Sequence, residues 1–141
     1  IINNPTIKIA DAKVVKKVNV KGKKVLIVDD NKINLKVAHR LLDQYKLDIE
    51  ECLSGKECLD LINEGKKYDL IFMDDMMPGM SGTETFKKLI QMDNFDTPVV
   101  ALTANAIVGM KEKYLSIGFN DYLSKPIKKE ELEKILNEYL K

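Results

Sequence analysis

Apolar and polar positions follow two rhythms along this chain. Three short apolar runs, Val25-Leu26-Ile27-Val28, Leu70-Ile71-Phe72-Met73 and Val99-Val100-Ala101-Leu102, are bounded by charged or turn-forming residues. Runs of this length with polar borders fit strands buried on both faces. Weaker segments at 48–53 and 121–124 read as shorter strands. The predicted strands are thus 23–30, 48–53, 70–74, 98–103 and 121–124, with Pro98 acceptable at the first position of its strand.

Between the strands, apolar residues return every three or four positions, the period of a helix with one buried face. Ile33, Val37 and Leu41, with Ala38 and Leu42 beside them, predict a helix to about Tyr45, capped by Asn31. Cys58, Leu61 and Ile62 mark a second helix, capped by Ser54 and ended by Gly65. Ser81 and Glu84 have capping-box spacing before a third, whose Phe86, Leu89 and Ile90 should face inward. Ile107, Met110, Tyr114 and Ile117 mark a fourth, closed by Gly118. Leu132, Ile135, Leu136, Tyr139 and Leu140 form the full stripe of a fifth.

Five strands alternating with five helices predict one α/β domain: a doubly wound parallel sheet with helices on both faces. A length of 141 residues suits one domain, which we place at 23–141. Residues 1–22 lack sustained periodicity and carry five lysines against one aspartate, although the whole chain is only +1. They read as a linker or N-terminal extension from an upstream module. The chain starts at Ile1, without an initiator Met, as expected of a segment of a longer protein. Near-neutral charge argues against direct nucleic-acid binding. No apolar run approaches the roughly 18 residues a membrane span needs. Cys52 and Cys58 have no metal-ligand spacing and suit apolar packing in a reducing, cytoplasmic setting.

In an open parallel sheet the carboxyl ends of the strands share one edge, where ligands bind. Here those ends carry Asp29-Asp30, Asp74-Asp75, Thr103-Ala104 and Ser124-Lys125. Each has an ordinary role on its own: a cap, a strand residue, a solvated charge. Together Asp29, Asp30, Asp74, Thr103 and Lys125 place three carboxylates, a hydroxyl and one ammonium around a small volume. Two carboxylates about 4 Å apart repel by roughly 4 kcal/mol at an effective dielectric near 20. A hard dication with oxygen ligands would relieve this, and Mg²⁺ suits a few carboxylates plus waters and a phosphate. A carboxylate beside such an ion, a hydroxyl and a lysine forms a phosphoryl-transfer site that can make an aspartyl phosphate.

The motifs V-D-D-N at 28–31, M-D-x-x-M-P at 73–78, L-T-A at 102–104 and K-P at 125–126 stand in this order on these strands. In them the chain resembles the receiver domain of two-component signalling, from about residue 23 to 141. The resemblance implies the flavodoxin-like strand order 2-1-3-4-5. It implies Asp74 as acceptor of a phosphoryl group from a histidine kinase or histidine phosphotransfer domain. Mg²⁺, with Mn²⁺ as substitute, would be held by Asp30, Asp74 and the Met76 backbone carbonyl, with Asp29 acting mainly through water. Thr103 would bond the phosphoryl group, Lys125 would pair with Asp74 or its phosphate, and Tyr122 would rotate with Thr103. A cis Lys125–Pro126 bond would aim the lysine inward. The switched surface, also a candidate homodimer contact, would comprise the fourth helix, fifth strand and fifth helix. The D-D-N-x-x-N start, Asp29 to Asn34, is most like receivers within hybrid histidine kinases, which implies a parent protein of a kind that can be membrane-anchored; a stand-alone or output-linked response regulator is the alternative.

Some residues depart from the family pattern. Ser81 stands where an acid is usual, and Asp75 adds an anion that we read as an exposed loop acid. Met76 and Asn105 stand where dephosphorylation rate varies; an apolar Met76 cannot orient a water, so self-hydrolysis should be slow to moderate. His39, the only histidine, reads as a surface residue rather than a phosphodonor. A Mg²⁺-dependent phosphohydrolase is the rival of another class. Such enzymes carry D-x-D, whereas Asp74-Asp75-Met76 places the second acid one position short, and there is no cap insertion for a substrate. A structural receiver that is never phosphorylated is disfavoured by the intact set of chemical positions.

Overall fold

The computed structural model describes residues 19–104 and 109–140. Five parallel strands, β1 (Lys24–Val28), β2 (Asp48–Cys52), β3 (Leu70–Asp74), β4 (Val99–Thr103) and β5 (Asp121–Ser124), form one sheet in the order β2-β1-β3-β4-β5. They alternate with α1 (Lys32–Asp43), α2 (Gly55–Asn63), α3 (Gly82–Leu89), α4 (Met110–Ile117) and α5 (Lys129–Tyr139). This is the expected α/β fold, and no helix among the described residues is long and apolar enough to cross a membrane.

Period-two alternation divides each central strand between two cores. Val25, Ile27, Leu70, Phe72, Val100 and Leu102 pack with Leu35, Ala38 and Leu42 of α1 and with Leu132, Ile135 and Leu136 of α5. On the other face Leu26, Val28, Ile71, Met73, Val99 and Ala101 pack with Cys58 of α2, Phe86 and Leu89 of α3, and Tyr114 of α4. Both cysteines are buried free thiols in the same core cluster, in the apolar role expected. Every residue of β3 and β4 is buried, which is why these segments read as unbroken apolar runs.

The predicted caps are in place. Asn31 accepts from the N–H groups of Ile33 and Asn34, Ser54 accepts from Glu57, and Ser81 and Glu84 complete a reciprocal box. The helical phases are less faithful. Ile33 is 72% exposed and Val37 51%, although their spacing marked them as part of the α1 stripe. At 100° per residue both lie almost opposite Leu35, and the buried face is Leu35, Ala38 and Leu42, an i, i+3, i+7 set. Ile90, expected inward, falls at the C-cap of α3 and is also half exposed. Ile107 and Asn105 lie outside the described residues, as does most of the expected 1–22 linker. Within that segment Val20 is 2% exposed and belongs to the α1/α5 core, while the Gly22 N–H donates to the Lys46 carbonyl at 2.9 Å.

Gly82, at the start of α3, sets how closely this helix approaches the end of β3. A Cβ there would lie 2.3 Å from the Asp74 carbonyl oxygen, while the Gly82 N–H donates to the Asp75 carbonyl at 3.0 Å. Gly82→Ala must therefore push backbone against backbone. We expect it to cost about 1–3 kcal/mol in chemical denaturation and to shift the Asp74 and Asp75 amide resonances; unchanged stability and unchanged shifts would contradict this packing.

Candidate functional site

Strand register assembles the site. Val28 pairs with Met73, Asp74 with Leu102, and Thr103 with Ser124, so the residues ending these strands become neighbours. Asp29 is buried: one carboxylate oxygen accepts from the Asn31 N–H at 2.9 Å and the other from Lys125 Nζ at 2.9 Å. The same ammonium donates to Asp74 Oδ1 at 2.7 Å. Asp74 is 4% exposed, whereas Asp30 beside it is open to solvent. The Lys125–Pro126 bond is cis, as expected.

One carboxylate oxygen from each of Asp29, Asp30 and Asp74 lies within 4.8 Å of the others, the one acidic cluster of this kind among the described residues. Together with Asn31, Met76, Ala104 and Lys125 they line an open cleft of about 700 Å³. Three carboxylates face one lysine there. Burial, reinforced by the Asp29 and Asp30 charges, holds the Asp74 carboxyl above its usual range despite the Lys125 hydrogen bond. Burial also opposes the Lys125 charge, but its bonds to Asp74 and Asp29 outweigh that and raise its pKa. Uncompensated negative charge on clustered oxygens is the donor set a hard dication takes.

Of the other expected residues Met76 lines the cleft, whereas Thr103 and Tyr122 are not among the residues that line it. Met76 is 76% exposed at its rim. Thr103 is buried at the end of β4. Tyr122 stacks on Tyr114 with ring centroids 5.8 Å apart. His39 pairs with Glu51 at 2.5 Å, away from the cleft, in the surface role expected.

Asp75 is a correction. It is not an exposed loop acid: one of its oxygens accepts from both the N–H and hydroxyl of Thr83 at 2.9 Å, and the other accepts from the Tyr114 hydroxyl at 2.7 Å. Tyr114 is the site-adjacent residue that sequence reasoning assigned only to the core. Its aromatic hydroxyl at an inward helical position was the available signal, because a buried hydroxyl needs a partner.

Residues 25–137 match the family model described as response regulator receiver domain. The chain belongs to this family. The receiver is 40% identical over 116 residues to the signal transduction histidine-protein kinase BarA of Escherichia coli, covering 82% of this chain and 12% of that protein. It thus spans about an eighth of this curated relative. Among solved structures, the receiver domain of a sensor histidine kinase from Pseudomonas aeruginosa, with magnesium coordinated in its active-site cleft, matches with TM-score 0.75 and 33% identity. That match covers 84% of this chain and 98% of the other. The receiver domain of Saccharomyces cerevisiae Ssk1, solved with the histidine phosphotransfer protein Ypd1, matches with TM-score 0.75 and 32% identity, covering 86% and 90%.

The raised Asp74 pKa has a direct consequence for stability. Because the native value exceeds the unfolded one, ionising Asp74 costs folding free energy: stability from this group falls as pH rises through the native pKa. Asp74→Asn should therefore melt a few degrees above wild type at pH 7 without divalent cation. Its advantage should shrink as the pH falls toward the carboxyl range, and Mg²⁺ should stabilise wild type more than the variant. Equal melting temperatures across that range would show that Lys125 fully compensates the charge.

Proposed function

We propose that this receiver takes a phosphoryl group onto Asp74 from the phosphohistidine of a histidine kinase or histidine phosphotransfer domain. The observation that carries this reading is the buried Asp74 carboxylate, 2.7 Å from Lys125, within an acidic cluster that opens on solvent. An Asp74 oxygen attacks phosphorus, the phosphorus–nitrogen bond of the donor breaks, and the imidazole leaves with its electron pair and takes up a proton. Lys125 can follow the charge from carboxylate to phosphoryl oxygen, and Asp29 holds it in range. The Thr103 hydroxyl supplies a donor to the new group. Mg²⁺ held by Asp30, Asp74 and the Met76 carbonyl, with Asp29 acting through water, would neutralise the phosphoryl oxygens; Mn²⁺ would serve the same donors. Magnesium in the cleft of the Pseudomonas receiver and the Ypd1 complex of the yeast receiver support these choices of ion and partner.

Phosphorylation adds about −1.5 to −2 charge at the carboxyl edge and biases the surface of α4, β5 and α5, where Tyr122 lies. That surface is the candidate contact for a homodimer or an output partner. The histidine kinases among the curated relatives, one of them a hybrid kinase of Dictyostelium discoideum, support a parent hybrid histidine kinase acting in a phosphorelay; we place this domain in the cytoplasm.

Intact mass after incubation with acetyl phosphate tests the acceptor. We expect one adduct of roughly 80 Da, a single phosphoryl group, requiring Mg²⁺ and absent from Asp74→Asn. No adduct in a folded protein would leave a structural receiver. Met76 governs the lifetime: its exposed apolar side chain cannot orient an attacking water. Met76→Asn or Met76→Glu should shorten the adduct half-life several-fold, about the worth of one hydrogen bond, and an unchanged half-life would contradict this role.

A further inference from the structure

Every polar atom of Asp75 has a partner. Its N–H donates to the Leu102 carbonyl at 3.1 Å, and its carbonyl accepts from the N–H groups of Met77 and Gly82, both at 3.0 Å. One carboxylate oxygen takes the N–H and the hydroxyl of Thr83, in the first turn of α3, and the other takes the hydroxyl of Tyr114 on α4. Residue 75 is thus bonded to β4, α3 and α4 together. Tyr114 is itself 1% exposed, packed by Phe119 edge-on and by Tyr122 in a stack. On the far side of Met76, Met77 is buried in the same core as Tyr114. Met76 therefore stands between two anchored residues, in a three-residue turn closed by the Met77 N–H and the Asp75 carbonyl. Planar peptides leave only the two backbone dihedrals of Met76 free in such a turn, and closing it restricts both. The direction of the Met76 carbonyl then follows from where Asp75 is held.

We propose that Asp75 is a positioning residue for the divalent cation, its three side-chain bonds setting the 75–77 turn that presents the Met76 carbonyl to the cleft. This rests on the reading in which Mg²⁺ is held by Asp30, Asp74 and that carbonyl. Mg²⁺ demands near-ideal octahedral geometry, so a backbone carbonyl serves it only when well aimed. Groups that touch the ligands rather than the ion commonly do the aiming. Successive residues of a strand point to opposite faces. Asp74 accordingly meets Lys125 in the cleft, while Asp75 meets Thr83 and Tyr114 on the side of α3 and α4. One of these bonds comes from α4, so the placement of that helix and the occupancy of the metal site are linked, each favouring the other.

The test is the Kd for Mg²⁺, followed by amide shifts around the cleft, in wild type, Tyr114→Phe, Thr83→Val, Asp75→Asn and Asp75→Ala. Tyr114→Phe and Thr83→Val each remove one bond and keep the Asp75 charge. We expect each to weaken Mg²⁺ binding about three- to ten-fold, the range of one neutral hydrogen bond, and to shift the Met77 amide resonance. Asp75→Ala removes all three bonds and should cost about ten-fold or more. Asp75→Asn keeps an oxygen for Thr83 and should cost less than Asp75→Ala. An unchanged Kd in cooperatively melting Tyr114→Phe and Thr83→Val overturns the proposal, even where their melting temperatures fall, because the bonds would then serve stability alone. Equal losses in Asp75→Asn and Asp75→Ala, with those two variants unaffected, would assign the effect to the charge of Asp75 and overturn it as well. If wild type binds no Mg²⁺, or Asp30→Asn binds it as tightly as wild type, the reading of the cleft as the metal site fails and this inference falls with it.

Discussion

The arrangement turns on one ammonium group. Lys125 donates to Asp29 and Asp74 together, joining residues 96 and 51 positions apart in the chain. No local interaction could do this. It requires β1, β3 and β4 to be parallel neighbours and the β5 end to lie at the same edge. The attraction also fails to balance the site, because Asp74 remains above its normal carboxyl range with the lysine in contact. The edge is thus held together and left short of positive charge by the same pair of bonds. A strained electrostatic balance of this kind responds strongly to any added cation or anion.

Around that pair the packing leaves little freedom. Gly82 brings the start of α3 against the Asp74 carbonyl, and Asp75 is bonded into both α3 and α4. A change of charge at Asp74 is therefore made against a rigid strand end. Thr103 and the two stacked tyrosines lie on the adjoining elements, where a rotated hydroxyl or ring costs less than a displaced strand.

The parts of this design visible in the sequence are those set by short-range rules. Buried central strands need apolar runs, helix starts need Asn31, Ser54 and Ser81, and a parallel sheet collects its strand ends. From these, Asp29, Asp30, Asp74, Thr103 and Lys125 could be placed together. What stayed hidden depends on rotation and on distant partners. Ile33 and Val37 recur with helical spacing, yet Leu35 decides which way α1 faces, and a four-residue repeat alone cannot choose between the two sides. Asp75 looked solvated because Tyr114, 39 positions away, is invisible until α4 docks. Val20 sits among lysines that suggested a tether, and only its burial beneath α1 and α5 reveals a core residue.

The strand order also divides the site by mobility. Asp74 stands on β3, which is bonded to β1 on one side and β4 on the other, while Lys125 follows β5, an edge strand of four residues paired with β4 alone. Central ladders open only with the whole sheet, whereas an edge strand can loosen locally. Amide exchange in β5 should thus run ahead of exchange in β3. The fixed charge is built into the slowest-opening part of the domain and its counter-charge hangs from one of the fastest, so the distance between them can be reset while the core stays closed.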